Sequence, residues 1–196
     1  MRRAVSSLIF ICLILTLAGC GEKEISGVTG KEISSDGSTR AIIVRDFDES
    51  LYDKNELTDM MNSEAEKYNS LNAPEAVKVV SVECSEGVVT AVMDYATAED
   101  YSAFNNRKFI WETYESAVSN GDIRVSLKDI SDMSDVDMSM ITDPEKLDVV
   151  ITDEQGYILL PGKVRFISSG VESVTRKQIN VTDDMDGLAY IVYQRK

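Results

Sequence analysis

The chain predicts an α+β fold with a mainly antiparallel sheet, and three observations carry that prediction. A helix-period apolar pattern runs over about 54–69, with two shorter helical segments after it. Two branched, β-rich runs at 76–84 and 88–95 flank Ser85-Glu86-Gly87 as a hairpin. From Ile123 onward, strand-like runs are punctuated by Glu154-Gln155-Gly156, Pro161-Gly162, Ser169-Gly170 and Asp186-Gly187. Helices in the first half and strands in the second favour segregated elements over a βαβ alternation, giving a β-rich C-terminal half.

Taken in order, Arg40 to Val44 reads as a short strand of β-branched residues. Asp53 is placed to cap the amphipathic helix, with Glu56 three residues later and Leu57, Met60, Met61, Ala65 and Tyr68 on the face expected to be buried. Asn72-Ala73-Pro74 ends it. After the hairpin, Thr97 with Asp100 opens a short helix to about Asn105 that buries Tyr101 and Phe104. Lys108 to Glu112 reads as a strand, and Thr113 caps a second short helix ending at Asn120-Gly121. The remaining predicted strands are Ile123 to Ile130, Leu147 to Thr152, Tyr157 to Leu160, Lys163 to Ser168, Lys177 to Val181 and Leu188 to Gln194. Residues 40–196 are expected to form the acidic globular domain, with a possible subdivision near 131–146.

The first forty residues carry a different message. Met1-Arg2-Arg3 is a charged start, and the sixteen residues from Ala4 to Gly19 are uncharged and mostly apolar. That length falls short of the roughly 20 residues of a comfortable membrane-spanning helix, so a cleaved signal over 1–19 fits better than an anchor helix. The stretch closes on Leu17-Ala18-Gly19-Cys20, which resembles the lipobox of bacterial lipoproteins, in type those of Gram-positive bacteria. The resemblance covers residues 1–20 and implies lipid attachment at Cys20 and a place on the extracytoplasmic face of the cell membrane. Several acyl chains on one Cys would make a second membrane signal unnecessary. Residues 20–39, rich in Gly, Ser, Thr and charge, read as a flexible tether.

Composition excludes whole classes of chemistry. The chain has 34 acids against 20 Lys and Arg; loss of 1–19 removes Arg2 and Arg3 but no acid, leaving a mature net charge of −16. Such a surface repels nucleic acid and anionic lipid head groups. With no histidine, Ser-His-Asp and Cys-His nucleophiles, imidazole bases and His-ligated zinc are unavailable. Cys12 leaves with the signal and Cys20 takes lipid, so Cys84 has no intrachain partner. Placed on one strand face with Val80 and Val82, Cys84 is expected in the core, the other reading being a reactive thiol.

Three places are weighed as sites. Asp132, Asp135 and Asp137, within SDMSDVDMSMITD, supply oxygen ligands of the type hard cations take; a solvated loop is the plainer reading. Trp111, the only tryptophan, stands near Phe109 and Tyr114 and offers either an aromatic platform for a sugar or peptide or simply a packed ring. Asp46, Asp48 and Glu49 are close carboxylates of the kind glycosidases pair. The sequence contains no Gly-rich phosphate loop and no CxxC pair, and no cofactor is expected.

The functional expectation is therefore a membrane-anchored, non-enzymatic binding module whose partner is a cell-envelope protein or polymer. The alternatives are a carboxylate-dependent hydrolase of cell-wall or carbohydrate polymers, with acids converging beside Trp111, and a cation-binding module built on 131–143.

Overall fold

A computed structural model describes Ile25 and residues 27–195. The predicted signal peptide and Cys20 lie outside the described residues. The first strand, β1 (Gly30–Ile33), falls where the sequence suggested a tether, and this corrects the expectation for 30–39. β1 pairs antiparallel with β2 (Thr39–Asp46) and parallel with β8 (Gly156–Leu159), placing it inside a sheet. Only alternate positions of such a strand face the core, so Lys31 and Ile33 suffice within a polar stretch. Gly30 is required by close approach, since a Cβ there would stand 2.8 Å from the Tyr157 carbonyl oxygen.

α1 (Lys54–Leu71) begins where Asp53 accepts hydrogen bonds from the Asn55 and Glu56 backbone N–H groups, satisfying donors with no partner inside the helix. β3 (Val77–Ser85) and β4 (Val88–Tyr95) form the expected hairpin. Its connection is two residues long, not three: Ser85 pairs with Val88, while Glu86 and Gly87 take φ of 54° and 77°. Two successive positive φ values match the twist of the flanking strands. α2 (Ala98–Asn105) is capped by Thr97, and β5 (Phe109–Thr113) leads directly into α3 (Tyr114–Asn120), capped by Thr113 and closed by left-handed Gly121.

Of the strand expected over 123–130, only β6 (Lys128–Asp129) forms, because β9 (Lys163–Ile167) pairs with it at just two positions. β7 (Leu147–Thr152), β10 (Val171–Ser173), β11 (Gln178–Val181) and β12 (Ala189–Gln194) complete the fold. β10 was not foreseen.

Seven strands form one sheet in the order β10-β11-β8-β1-β2-β4-β3, and five form another in the order β5-β7-β12-β9-β6. Among the described residues every strand pairing is antiparallel except β1 with β8, so the α+β, mainly antiparallel architecture with a β-rich C-terminal half holds.

The two sheets share one core in which Ile33, Ala41, Ile158 and Ile179 meet Val150, Val164, Ile191 and Tyr193. Ala65 of α1 and Ala98 and Tyr101 of α2 join that core beside β3 and β4. The far face of the five-stranded sheet carries a second cluster, with Tyr114 and Ala117 of α3 over Leu147, Val149 and Val192. Val136, Met138 and Ile141 pack on this second cluster. Because β5 pairs with β7 across residues 131–146, that stretch covers one sheet and does not divide two domains.

Candidate functional site

Open apolar ground surrounds α1. The sequence places Leu57, Met60, Met61, Ala65 and Tyr68 on a buried face, but Ala65 is the one residue of α1 that is fully buried, and Met60 is 59% exposed. The apolar stripe is wider than the surface beneath it. Two clefts result. One, of about 420 Å³, lies between α1 and α2, with Met60, Leu71, Met93 and Phe104 in its walls. The other, of about 500 Å³, lies at the start of the helix, between Leu57 and Met61 on one side and Ile43, Val89 and Tyr52 on the other. Both reach Met61.

The walls are fixed from behind. Tyr68 donates from its hydroxyl to Asp100 at 3.1 Å and meets Phe104 edge to face at 5.6 Å, joining α1 to α2. Asn69 donates to the Val77 carbonyl and accepts from the Val77 N–H, at 2.8 and 2.9 Å, clamping the end of α1 to β3. Such bonds hold the cleft open while Met60 and Leu71, the latter 78% exposed, face water. Covering an aliphatic side chain of this size is worth about 1.5–3 kcal/mol.

Trp111, the aromatic candidate, does not form a platform. Its indole packs against the core between the sheets, and Nε1–H donates to the Tyr193 hydroxyl at 2.7 Å. Gly37 sits against one face of the ring, where an added Cβ would come within 2.6 Å of two ring carbons. Tyr193 in turn donates to Asp148 at 3.4 Å, and Arg195 lies 3.3 Å from the other carboxylate oxygen. Burial raises the Asp148 carboxyl above its ordinary value, while Arg195 and Tyr193 oppose that rise. Trp111, Tyr193 and Asp148 are internal wiring, which Arg195 joins to the surface.

A second buried polar group centres on Lys31, which is 6% exposed. Its Nζ lies 3.2 Å from Glu154 and over the rings of Tyr101 and Phe109, at 5.3 and 5.6 Å from their centroids. Tyr101 donates to the same Glu154 oxygen at 2.7 Å. Loss of hydration lowers the lysine below its ordinary value, and Glu154 counters that. The same burial, with Glu154 beside it, pushes the Tyr101 phenol well up, and desolvation takes Tyr95 to about 12. An ammonium, a carboxylate and a phenol that saturate one another have a structural role.

Asp132, Asp135 and Asp137 are not brought together. Asp132 accepts from the Ser134 N–H, Asp137 from the Ser139 N–H and hydroxyl, and Asp135 pairs with Lys128 at 3.0 Å. The serine bonds hold Asp132 and Asp137 below the usual carboxylate range. Among the described residues, no group of three or more acidic or Cys side chains is arranged to hold a metal ion. Asp48 is likewise taken up by Ser50, whereas Asp46 lines the second cleft. Cys84 is half-buried and belongs to neither core cluster, correcting the expectation of a core residue. A register shift between Val79 and Ser81 breaks the alternation that grouped it with Val80, and β3 lies at the sheet edge.

Sequence reasoning missed the exposed Met60 and Leu71 and the buried Lys31, Glu154 and Asp148. The legible signal for the first pair was their place on the helical wheel, where Met60 and Leu71 lie together at one edge of the apolar face that holds Leu57, Met61, Ala65 and Tyr68.

No protein-family model matches the chain, and no curated protein or solved structure is detectably similar to it. Among the described residues, no helix is long and apolar enough to cross a membrane.

Proposed function

We propose that this chain is a non-enzymatic binding module, held through lipid on Cys20 at the extracytoplasmic face of the cell membrane, whose partner docks beside α1. The observation that carries the binding reading is the pairing of a fixed apolar cleft with exposed Met60 and Leu71 on its lip. The buried ionisable groups with strong partners support it by their position. Lys31, Tyr101, Asp148 and Tyr193 are buried between the sheets, away from that cleft, and are spent on one another. The Leu17-Ala18-Gly19-Cys20 motif supports the anchor.

The test is a photo-reactive residue substituted for Leu71 in the full-length protein, irradiated in its own membrane. A discrete cross-linked species is expected, identified by mass spectrometry as a single envelope protein. The same probe at Val174, exposed after the opposite edge strand β10, serves as the control and should give none. Equal, diffuse labelling from both positions would contradict the reading.

A further inference from the structure

We infer that the cleft between the 161–163 turn, the turn before β11 and the end of β12 is a site for a phosphate oxyanion. It is separate from the clefts beside α1 and does not depend on the lipid at Cys20.

The charge of the cleft is its own. Gly162, Lys163, Lys177, Gln194 and Arg195 enclose about 270 Å³, three bases and no acid, in a chain of 34 acids against 20 Lys and Arg. Buried Asp148, 3.3 Å from Arg195, offsets one of those charges and leaves an excess of positive charge. Acids elsewhere on the surface are screened beyond about 8 Å at physiological salt, so at contact the three bases set the sign.

The walls are fixed by the backbone. Lys163 begins β9 and stands opposite Gln194 of β12, whereas Lys177 immediately precedes β11, so the two sheets contribute bases to one cleft. The Leu160 and Val164 N–H groups donate to the Lys177 and Arg176 carbonyls at 2.8 and 2.9 Å, tying the two turns together on either side of Gly162. The Lys177 N–H donates to the Thr175 hydroxyl at 3.3 Å, and the Arg195 N–H to the Lys146 carbonyl at 2.9 Å. A Cβ on Gly162 would run into the Gln194 carbonyl, so glycine is what lets these segments close. An anion entering the cleft therefore has little backbone left to order.

The donors suit phosphate. Arg195 uses Nε on Asp148 and Nη2 on the Glu145 carbonyl, which leaves its other N–H donors for a ligand. Lys163 is exposed. Lys177 is 9% exposed, and an oxyanion beside a buried ammonium meets little competing water. Cationic donors from three segments match the several oxygens of a tetrahedral phosphate better than the two oxygens of a carboxylate. The volume is below the roughly 300 Å³ at which sites begin to enclose a drug-sized ligand, so the cleft admits a free anion or the phosphate end of a larger molecule.

The test uses the mature chain with Cys20→Ser, which lacks only the lipid, isotope-labelled and titrated with inorganic phosphate or acetate at constant pH and ionic strength. Backbone amide resonances of Lys163, Lys177 and Arg195 should shift saturably with phosphate, with at least about tenfold weaker affinity for acetate. Lys163→Glu should weaken phosphate binding about tenfold or more. Lys54→Glu makes the same change of charge at an exposed lysine of α1 and should leave binding within about twofold. Because Lys163 is exposed, resonances outside the cleft should be unchanged in its variant, and Lys163→Arg should retain binding.

Vesicles of phosphatidylglycerol, set against phosphatidylcholine, distinguish the source of the phosphate. Co-sedimentation that is lost in Lys163→Glu identifies a lipid head group, whereas phosphate binding without vesicle retention identifies a soluble phosphate compound. Both outcomes uphold the site. Equal responses to phosphate and acetate, undiminished binding by Lys163→Glu, or equal losses in Lys163→Glu and Lys54→Glu would overturn it.

Discussion

The Trp111 indole N–H and the Tyr193 hydroxyl, 82 residues apart, meet at 2.7 Å between the two sheets. That bond joins β5 to β12 across the intervening β7, whose Asp148 accepts from the same Tyr193. The ring weighed as a sugar platform thus serves as a fastener. Tyr193→Phe leaves the indole N–H without its acceptor and removes one donor from Asp148. The expected loss is about 1–3 kcal/mol of unfolding free energy, the usual consequence of orphaning a buried polar group. As the sole tryptophan, Trp111 reports this directly, and denaturant titration followed by its fluorescence is the check.

Alkaline pH should unfold the protein through its buried phenols. Tyr95 is raised to about 12, and Tyr101 and Tyr193 are raised further, chiefly by burial. In the unfolded chain these groups lose their protons near pH 10, whereas the folded state retains them. Their contribution is therefore complete below pH 10 and is lost as pH rises through the folded values, at up to about 1.4 kcal/mol per pH unit for each phenol. Lys31 acts in the opposite sense, since its folded value is lowered: stability rises with pH from that value up to its ordinary 10.5. Above that point only the phenols act. Urea midpoints should fall steeply between about pH 10.5 and 12, and less steeply in Tyr101→Phe.

Lys31→Met should be costly alone and much cheaper with its partner removed. The single change leaves Glu154, 22% exposed, without its cation, and breaking such a pair costs about 3 kcal/mol. K31M/E154Q removes both charges, and the amide can still accept from Tyr101. Its destabilisation should be clearly smaller than the sum of the single changes, as measured in a double-mutant cycle.

Calcium should leave the melting temperature where it is. Asp132, Asp135 and Asp137 each have a separate local partner, and a cation would have to break those bonds before gathering them. Scans with about 5 mM Ca²⁺ and with a chelator should superimpose, whereas a site with submillimolar affinity would add at least about 1 kcal/mol by mass action. A rise of several degrees in calcium would contradict this account.

What the sequence made legible was local. Asp53, Thr97 and Thr113 cap the helices they were expected to cap, because a capping side chain reads only the next two or three N–H groups. The hairpin followed from Ser85-Glu86-Gly87 for the same reason, though Ser85 proved to be paired and only Glu86 and Gly87 form the turn. β1 escaped notice because its partners β2 and β8 lie elsewhere in the chain and only Lys31 and Ile33 face inward.

The acidic loop offered oxygen ligands in the sequence, but an Asp-x-Ser unit can close on itself. Asp36, Asp48, Asp129, Asp132 and Asp137 each accept from the N–H of a serine two residues on, a pattern visible in the sequence once its geometry is known. The α1 clefts were hidden for a different reason. The helical period identifies an apolar face, but the width of sheet available to cover it is a tertiary property.

The central claim, a binding module on a lipid anchor, is tested most directly by the mass of the N-terminal peptide of the protein taken from its membrane. The account predicts a chain that begins at Cys20 and carries acyl groups, with Cys20→Ala releasing the protein from the membrane fraction. An unmodified chain beginning at another residue, still retained by the membrane after Cys20→Ala, would contradict it.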